Sequence, residues 1–311
     1  MNEYYKQYFS ISEEVNSALK NKQAVVALET AVVTHGLPFP ENVNLATGLE
    51  NEIRSQGAVP ATVAVMRGKV RVGLTAADLD ELGNGKVPTR KISRRDYAIA
   101  LTRKELGGTT VCGTLIAASK VGIKVFSTGG IGGIHRNAPF DVSADLPELS
   151  RSSLVVVCAG AKSILDLPAT VEYLETMGVP VVGYQTKHFP AFYSQESGLP
   201  VTETVQHPQE IAEIALAHWG MGLNSAVLVV TPPPAEAALP RDEVEKVIEK
   251  AVNEAESQHI SGAAVTPFLL SKVSELTGGE SMRANLALLH NNARLAAQVA
   301  RELSKSDFSQ A

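Results

Sequence analysis

A lysine and a glutamate each follow an apolar run that predicts a buried strand. Lys162 ends the segment LVVVCAGAK, and Glu29 follows the segment AVVAL. Continuous apolar runs are typical of parallel strands, so both side chains are expected at the carboxyl edge of one sheet, where α/β sheets bind ligands. Burial lowers the pKa of an ammonium group, and a neutral amine can form a Schiff base with a sugar carbon, with Glu29 supplying a proton.

Two simpler interpretations of this segment stay open. Taken alone, Lys162 fits a surface lysine whose alkyl stem covers the core while its ammonium group stays in water. Cys158 could instead be the nucleophile, although Lys162 is the only cation next to it in sequence. The two cysteines, Cys112 and Cys158, lie in apolar or small-residue surroundings. This context favours reduced structural thiols and a cytoplasmic protein.

A glycine-rich segment at 126–145, FSTGGIGGIHRNAPFDVSAD, could hold an anion. Its backbone N–H groups, together with Thr128, His135 and Arg136, would supply the donors for a phosphate. The glycine spacing differs from that of a dinucleotide-binding fingerprint. A merely flexible loop is an equal interpretation.

Two carboxylates, Asp141 and Asp145, close the same segment. Carboxylates beside a phosphate site indicate a hard divalent cation bound through oxygen and water. The alternative is helix capping, in which Ser143 or Asp145 begins a short helix over LPEL.

The elements that must position these residues alternate between strand and helix. Apolar residues recur at helical spacing over 42–56. A hairpin is predicted at 62–74 around Gly68, and a helix is predicted at 93–106. The alternation continues without a low-complexity linker or an internal repeat. It predicts a single three-layer α/β/α domain over residues 1–311, with a mixed, mostly parallel sheet.

Composition excludes several classes of protein. The chain has 44% hydrophobic and 20% charged residues and a net charge of −5, which is typical of a globular protein. The lack of a long basic run argues against binding to a nucleic-acid polymer. No apolar stretch has the length of a membrane span, and the amino terminus has no signal-peptide pattern.

Several longer motifs occur in order along the chain: ALETAVVTHGLPFPEN, GTTVCGTLIAA, STGGIGGIHR, DVSADL, AGAKSILD and ANLALLHNNA. They resemble the pseudouridine-5'-phosphate glycosidase family, also called indigoidine synthase A-like, and the resemblance covers about residues 10–303. It implies an α/β/α enzyme that uses water to cleave the C–C glycosidic bond of pseudouridine 5'-phosphate, giving uracil and ribose 5-phosphate. A homotrimer and a divalent metal, usually Mn²⁺, are also implied.

The resemblance assigns roles to the residues that match its motifs. Lys162 of AGAKS resembles the Schiff-base nucleophile, Glu29 of ALET the proton donor, and Asp141 of DVSAD the metal ligand. The matching substrate-binding positions are Lys91, Val111 through its backbone, Ser143, Ala144 and Asp145, with Thr128, His135 and Asn285 as further lining residues.

Other functions remain compatible with the same residues. The site could act by imine chemistry on another phosphorylated C-glycoside or as a lyase on a sugar phosphate. It could also bind a sugar phosphate without turnover, because Thr231 stands where the family commonly has an asparagine. The loop between His135 and Asp141 is also shorter than in some relatives. The nucleophile, acid and metal ligand are all present, so an active enzyme is expected.

Overall fold

The computed structural model of this chain describes residues 6–136, 138–258, 260 and 265–305. Its strands form one large sheet and one small sheet. The strands are β1 (Phe9–Ile11), β2 (Val25–Leu28), β3 (Val59–Met66), β4 (Lys69–Val72), β5 (Thr89–Ile92), β6 (Leu106–Thr109), β7 (Val125–Ser127), β8 (Ile134–His135), β9 (Ala138–Val142), β10 (Val155–Cys158), β11 (Leu165–Asp166), β12 (Val181–Tyr184), β13 (Glu203–Val205) and β14 (Val227–Val230).

The large sheet has the order β1-β4-β3-β2-β7-β10-β14-β12-β13, and β6 pairs with both β3 and β5. The seven strands from β3 to β13 along this path pair in parallel. Strands β4 and β6 pair antiparallel with β3. These pairings confirm the predicted mixed, mostly parallel sheet.

The β3–β4 connection is the hairpin predicted around Gly68. Arg67 and Gly68 both have positive φ, at 52° and 75°. Two central residues of positive φ match the right-handed twist of the paired strands, which explains a glycine here. Downstream, the helix predicted at 93–106 is shorter, because Lys104 turns the chain at φ 54° into β6.

Helices cover the large sheet. They are α1 (Glu13–Lys20), α2 (Ala31–His35), α3 (Glu41–Ser55), α4 (Ala76–Gly83), α5 (Tyr97–Arg103), α6 (Val111–Val121), α7 (Asp145–Leu149), α8 (Leu167–Thr176), α9 (Pro208–Gly220), α10 (Arg241–Ser257), α11 (Val265–Leu276) and α12 (Glu280–Lys305). All four residues of β10 have no exposed surface, as expected of a strand covered on both faces. Within the described residues, no helix has both the length and the apolarity needed to cross a membrane.

The small sheet has the order β11-β8-β9 and is antiparallel. It lies beside the carboxyl edge of the large sheet, since Ile131 and Ala161 form a parallel bridge between segments that leave β7 and β10. The sequence analysis missed these strands. Two of them are only two residues long, which is too short to show a periodic pattern.

Candidate active site

Three adjacent parallel strands, β2, β7 and β10, bring the proposed acid and nucleophile to one edge. Glu29 and Thr128 directly follow β2 and β7, and Lys162 lies four residues beyond β10. The hydroxyl of Thr128 donates a hydrogen bond to Glu29 Oε1. The prediction that these strand ends converge is confirmed for Glu29 and Thr128. The charge of Lys162 acts on the same glutamate.

Backbone and hydroxyl contacts fix the loop that carries Glu29. The neighbouring Thr30 is fully buried, and its hydroxyl donates to the carbonyl of Val63 at 2.6 Å. The hydroxyl oxygen of Thr30 in turn accepts the N–H of Thr109 at 3.0 Å. These bonds tie the end of β2 to β3 and β6. The backbone that carries the Glu29 side chain is therefore held in place.

A tight turn holds Lys162. Its N–H donates to the carbonyl of Ile131 at 3.1 Å, and its carbonyl accepts the N–H of Leu165 at 3.0 Å. Gly160 precedes this turn at φ 84°, and a Cβ there would lie 2.6 Å from the carbonyl oxygen of Pro190. A glycine is therefore required for both the backbone conformation and the close approach.

The half-buried carboxyl group of Glu29 is electrostatically suited to donate a proton. Burial raises its pKa above the usual range, while the charge of Lys162 and the hydrogen bond from Thr128 oppose the rise. The negative charge of Asp145 adds to it. Glu29 therefore keeps its proton to a higher pH than an exposed glutamate does, which is the requirement for a general acid near neutral pH.

Lys91 joins the site from β5, in the part of the sheet that branches at β6. Burial is the main cause that lowers its pKa, and the charge of Lys162 lowers it further. The carboxylates of Asp145 and Glu29 act in the opposite direction. Glu29 and Lys91 therefore both lie within electrostatic range of Lys162 and Asp145.

Asp145 holds two site segments together. The buried carboxylate accepts the N–H of Cys112 with Oδ1 and the N–H of Gly132 with Oδ2, each at 2.8 Å. Its own N–H donates to the hydroxyl of Ser143 at 3.2 Å. Helix α7 begins at Asp145, so the short helix over LPEL is present.

Much of the glycine-rich segment satisfies its N–H groups within the protein. Besides Gly132, Ile131 donates to the carbonyl of Gly160 at 3.0 Å, and Ile134 donates to the hydroxyl of Thr170 at 3.0 Å. A Cβ on Gly132 would lie only 2.2 Å from Ser143 Oγ. Gly132 is therefore needed for close packing against the segment that carries Ser143 and Asp145.

The prediction that Arg136 supplies donors to an anion is corrected by the structure. Both terminal nitrogens of its guanidinium bind the carboxylate of Glu245 on α10. The Nε and Nη2 groups also donate to the carbonyls of Leu165 and Ser163, at 3.2 and 3.0 Å. Glu245, which is 109 residues away in sequence, therefore neutralises the Arg136 charge that was expected to bind a phosphate.

The remaining predicted substrate-binding residues lie on or beside four other elements. Val111 is the first residue of α6, next to the Cys112 amide that Asp145 holds. Ala144 is exposed immediately before α7. His135 is half-buried on β8, where it pairs with Leu165 on β11. Asn285 is half-buried on α12.

The cysteines do not provide a nucleophile. Both are free thiols, fully buried in the core. Burial raises the pKa of Cys112 and of Cys158 to about 12. Because the thiolate is the reactive form, the alternative of a nucleophilic Cys158 is removed.

Asp141 lies exposed on β9. In the parts of the chain that the structure describes, no three His, Cys, Asp or Glu side chains come together to hold a metal ion. A divalent ion at Asp141 would therefore take most of its ligands from water or from a bound phosphate. This coordination is common for small hard cations.

Two residues near the site were missed by the sequence analysis. The half-buried His35 has its pKa lowered by burial and by the charge of Lys91. Asn292 is fully buried on α12 and donates to the carbonyls of Thr128 and Gly129, at 2.8 and 3.3 Å. The available signal for Asn292 was an amide at a core position of an otherwise apolar helical stripe.

Comparison with known proteins gives a family match over almost the whole chain. Residues 14–302 match the family model described as indigoidine synthase A like protein. A protein of Geobacillus kaustophilus named pseudouridine-5'-phosphate glycosidase is 51% identical over 299 residues, covering 96% of this chain and 99% of that protein. An Escherichia coli protein of the same name is 48% identical over 297 residues, covering 95% of each chain.

Two solved structures have the same fold. The prealnumycin C-glycosynthase AlnA, in complex with ribulose 5-phosphate, superposes with a TM-score of 0.89 at 38% identity, covering 96% of this chain and 98% of AlnA. An indigoidine synthase A-like protein of Thermotoga maritima superposes with a TM-score of 0.85 at 37% identity. That match covers 91% of this chain and 94% of the Thermotoga protein.

Proposed function

The chain belongs to the indigoidine synthase A-like family, and we propose that it cleaves pseudouridine 5'-phosphate with water to uracil and ribose 5-phosphate through a Schiff base on Lys162. The observation that carries this proposal is the convergence of Glu29, Thr128 and Lys162 beyond three adjacent parallel strands. The names of the curated relatives support the same reaction.

The substrate's carbon leaving group explains why an amine is used. Paired-carboxylate glycosidases protonate a leaving oxygen, which a C-nucleoside does not have. In the proposed first step, Glu29 gives its proton to the ribose ring oxygen as the C1'–O bond breaks. The amine of Lys162 adds to C1' and loses a proton.

Imine formation then drives the carbon–carbon cleavage. The nitrogen electron pair forms the C1'=N bond while the C1'–C5 bond breaks. Uracil C5 keeps the electron pair of the broken bond and receives the proton that the Lys162 nitrogen has lost. Water hydrolyses the imine, which releases ribose 5-phosphate and regenerates the Lys162 amine. Glu29, now a carboxylate, can accept a proton in this second half.

Lys91 supports selection of a phosphorylated substrate. It is a partly enclosed cation next to the proposed nucleophile, and charge-assisted hydrogen bonds to a dianion are stronger than neutral ones. We assign it to the 5'-phosphate. Because Arg136 is paired with Glu245, Lys91 carries more of this task than the sequence predicted.

A hydrated Mn²⁺ on Asp141 is part of the proposal. One exposed carboxylate suits an ion that keeps several water ligands and binds a substrate phosphate. The ion would neutralise phosphate charge when bound. The steps assigned above to Glu29 and Lys162 do not involve the ion directly.

We also propose a cytoplasmic homotrimer in which the chain acts as one catalytic domain. Both sheets supply predicted site residues, which supports a single functional unit. The side chain of Phe140, next to Asp141 on β9, is 99% exposed. Contact with a neighbouring subunit would remove this side chain from water, and light scattering measures the stoichiometry directly.

Uracil release tests the proposed activity. Purified protein with Mn²⁺ is expected to release uracil from pseudouridine 5'-phosphate, detected by chromatography, and to act much more slowly on unphosphorylated pseudouridine. Equal rates on the two compounds would contradict the role of Lys91. If no uracil were released but another phosphorylated C-glycoside or sugar phosphate were turned over, that compound would become the assigned substrate.

A matched variant separates an enzyme from a silent binding protein. Thr231, the departure from the family pattern, is buried, and its hydroxyl accepts from Asn291 Nδ2 at 3.4 Å. Lys162→Ala is expected to fold and to lose uracil release. If wild-type protein bound ribose 5-phosphate but neither it nor Lys162→Ala turned over substrate, the binding-protein function would be favoured.

A further inference from the structure

Asn292 is a buried amide on an apolar face of a helix. Its neighbours at helical spacing on α12, Leu288, Leu295 and Ala296, are all core residues. The side chain has no exposed surface, and Asn292 Oδ1 is buried without a hydrogen-bond partner in the described chain. An apolar residue would avoid this unsatisfied acceptor, so the amide nitrogen must contribute what a leucine cannot.

The amide nitrogen holds the loop that follows β7. It donates to the carbonyl of Thr128 at 2.8 Å and to that of Gly129 at 3.3 Å. The Gly129 carbonyl also accepts the N–H of Ala159 at 2.9 Å, whereas the Thr128 carbonyl is held by Asn292. The orientation of the Thr128–Gly129 peptide therefore depends on Asn292.

The same threonine contacts the proposed acid. Its N–H donates to the carbonyl of Val157 at 3.0 Å, and its hydroxyl donates to Glu29 Oε1. Rotation of the peptide would move the Thr128 Cα–Cβ bond and draw the hydroxyl away from Glu29. A side chain on α12 is thus connected to Glu29 through one residue.

We propose that Asn292 is a positioning residue, whose amide fixes the Thr128–Gly129 peptide so that the Thr128 hydroxyl stays hydrogen-bonded to Glu29. This inference rests on the proposed function only in taking Glu29 as the proton donor. Asn292 does not act on the substrate itself. It sets the conditions under which Glu29 gives and recovers its proton.

The predicted effect has a definite sign. The hydrogen bond from Thr128 favours the charged form of Glu29 and lowers its pKa, as does Lys162, whereas burial and Asp145 raise it. Lys91, the other charged group facing Glu29, also lowers it. Removing the Thr128 contact therefore shifts the titration of Glu29 to higher pH, because a hydrogen bond that stabilises the charged carboxylate is lost.

An infrared titration reads this out without substrate. The full chain is labelled with ¹³C-carboxyl glutamate, and the Glu29 band is assigned by subtracting the spectrum of Glu29→Gln. Thr128→Val and Asn292→Leu are each expected to raise the titration midpoint by about one pH unit. Thr128→Ser, which keeps the hydroxyl, is expected to leave it near the wild-type value.

The matched control is Leu295→Ala, which removes core contacts of the same helix about one turn beyond Asn292. It is expected to lower stability without moving the Glu29 midpoint. If Asn292→Leu lowered stability but left the midpoint unchanged, or if Leu295→Ala moved it equally, the proposal would be overturned. If Asn292→Leu does not fold, Asn292→Ser gives the same comparison with a smaller polar side chain.

The two proposals can fail separately. The infrared midpoint does not depend on which substrate is turned over. A shift in Asn292→Leu with no uracil release from wild type would uphold the positioning role and reject the substrate assignment. Uracil release by the wild type, with an unchanged Glu29 midpoint in Asn292→Leu, would uphold the substrate assignment and reject the positioning role.

Discussion

Lys91 and Lys162 reach one site from different parts of the sheet, and the pKa of Lys91 is lowered first by burial and then by the charge of Lys162. Lys91 lies on β5, in the branch that β6 joins to β3, while Lys162 follows β10 in the parallel part of the sheet. Two lysines with different proposed roles therefore lie within electrostatic range of each other. Variants that keep the charge but change the chemistry separate those roles.

Arginine substitutions distinguish the nucleophile from the phosphate ligand. Lys162→Arg keeps a cation but offers a guanidinium that stays protonated, so uracil release is expected to fall by about a thousandfold or more. Lys91→Arg is expected to keep measurable turnover. Borohydride with ribose 5-phosphate should leave a reduced adduct on the Lys162 peptide alone, visible by mass spectrometry. The opposite ranking of the two variants would assign the nucleophile to Lys91.

The raised pKa of Glu29 predicts how stability depends on pH. Since the folded protein keeps this proton above the usual pKa of 4.5, the unfolded chain binds fewer protons in that window. The contribution of Glu29 to the free energy of unfolding is therefore fully present below pH 4.5 and is lost as pH rises through the folded pKa. Urea unfolding of wild type and Glu29→Gln, compared across this range, measures the contribution as a difference. A difference that grew with pH in favour of the wild type would show that the pKa is lowered.

Close packing around Gly132 predicts a large effect of one methyl group. In Gly132→Ala the new Cβ would lie 2.2 Å from Ser143 Oγ and 2.8 Å from Asp145 Oδ2. We expect a loss of about 1–3 kcal/mol in the free energy of unfolding, together with reduced uracil release. Gly220→Ala, at the end of α9 with no neighbouring atom within 4 Å of its Cβ, is the control. Equal stability of the two variants would show that the loop can move aside.

The proposed metal site predicts a dependence on chelator. EDTA should abolish uracil release, and Mn²⁺ should restore it. Asp141→Asn should need a Mn²⁺ concentration more than about tenfold higher for half-maximal activity. The control Asp80→Asn, on the exposed part of α4, should behave like wild type. Full activity after exhaustive chelation would remove the metal from the proposal.

The sequence alone determined the parallel strands and the residues at their ends. Continuous apolar runs such as Val155–Cys158 indicate burial on both faces, and parallel strands must present their carboxyl ends at one edge. That geometry placed Glu29 and Thr128 together before any contact was known. The motifs around them indicated the family.

Only the tertiary structure decided which distant groups satisfy one another. Arg136 pairs with Glu245, 109 residues away, and Asn292 binds the Thr128 carbonyl across 164 residues. Such contacts depend on the order of strands in the sheet and on which helix covers which loop. The spacing of hydrophobic residues indicates which face of each element is buried, but it does not indicate which other element packs against that face. The structure was therefore needed to show that Arg136 is already paired and that a buried amide lies behind the proposed acid.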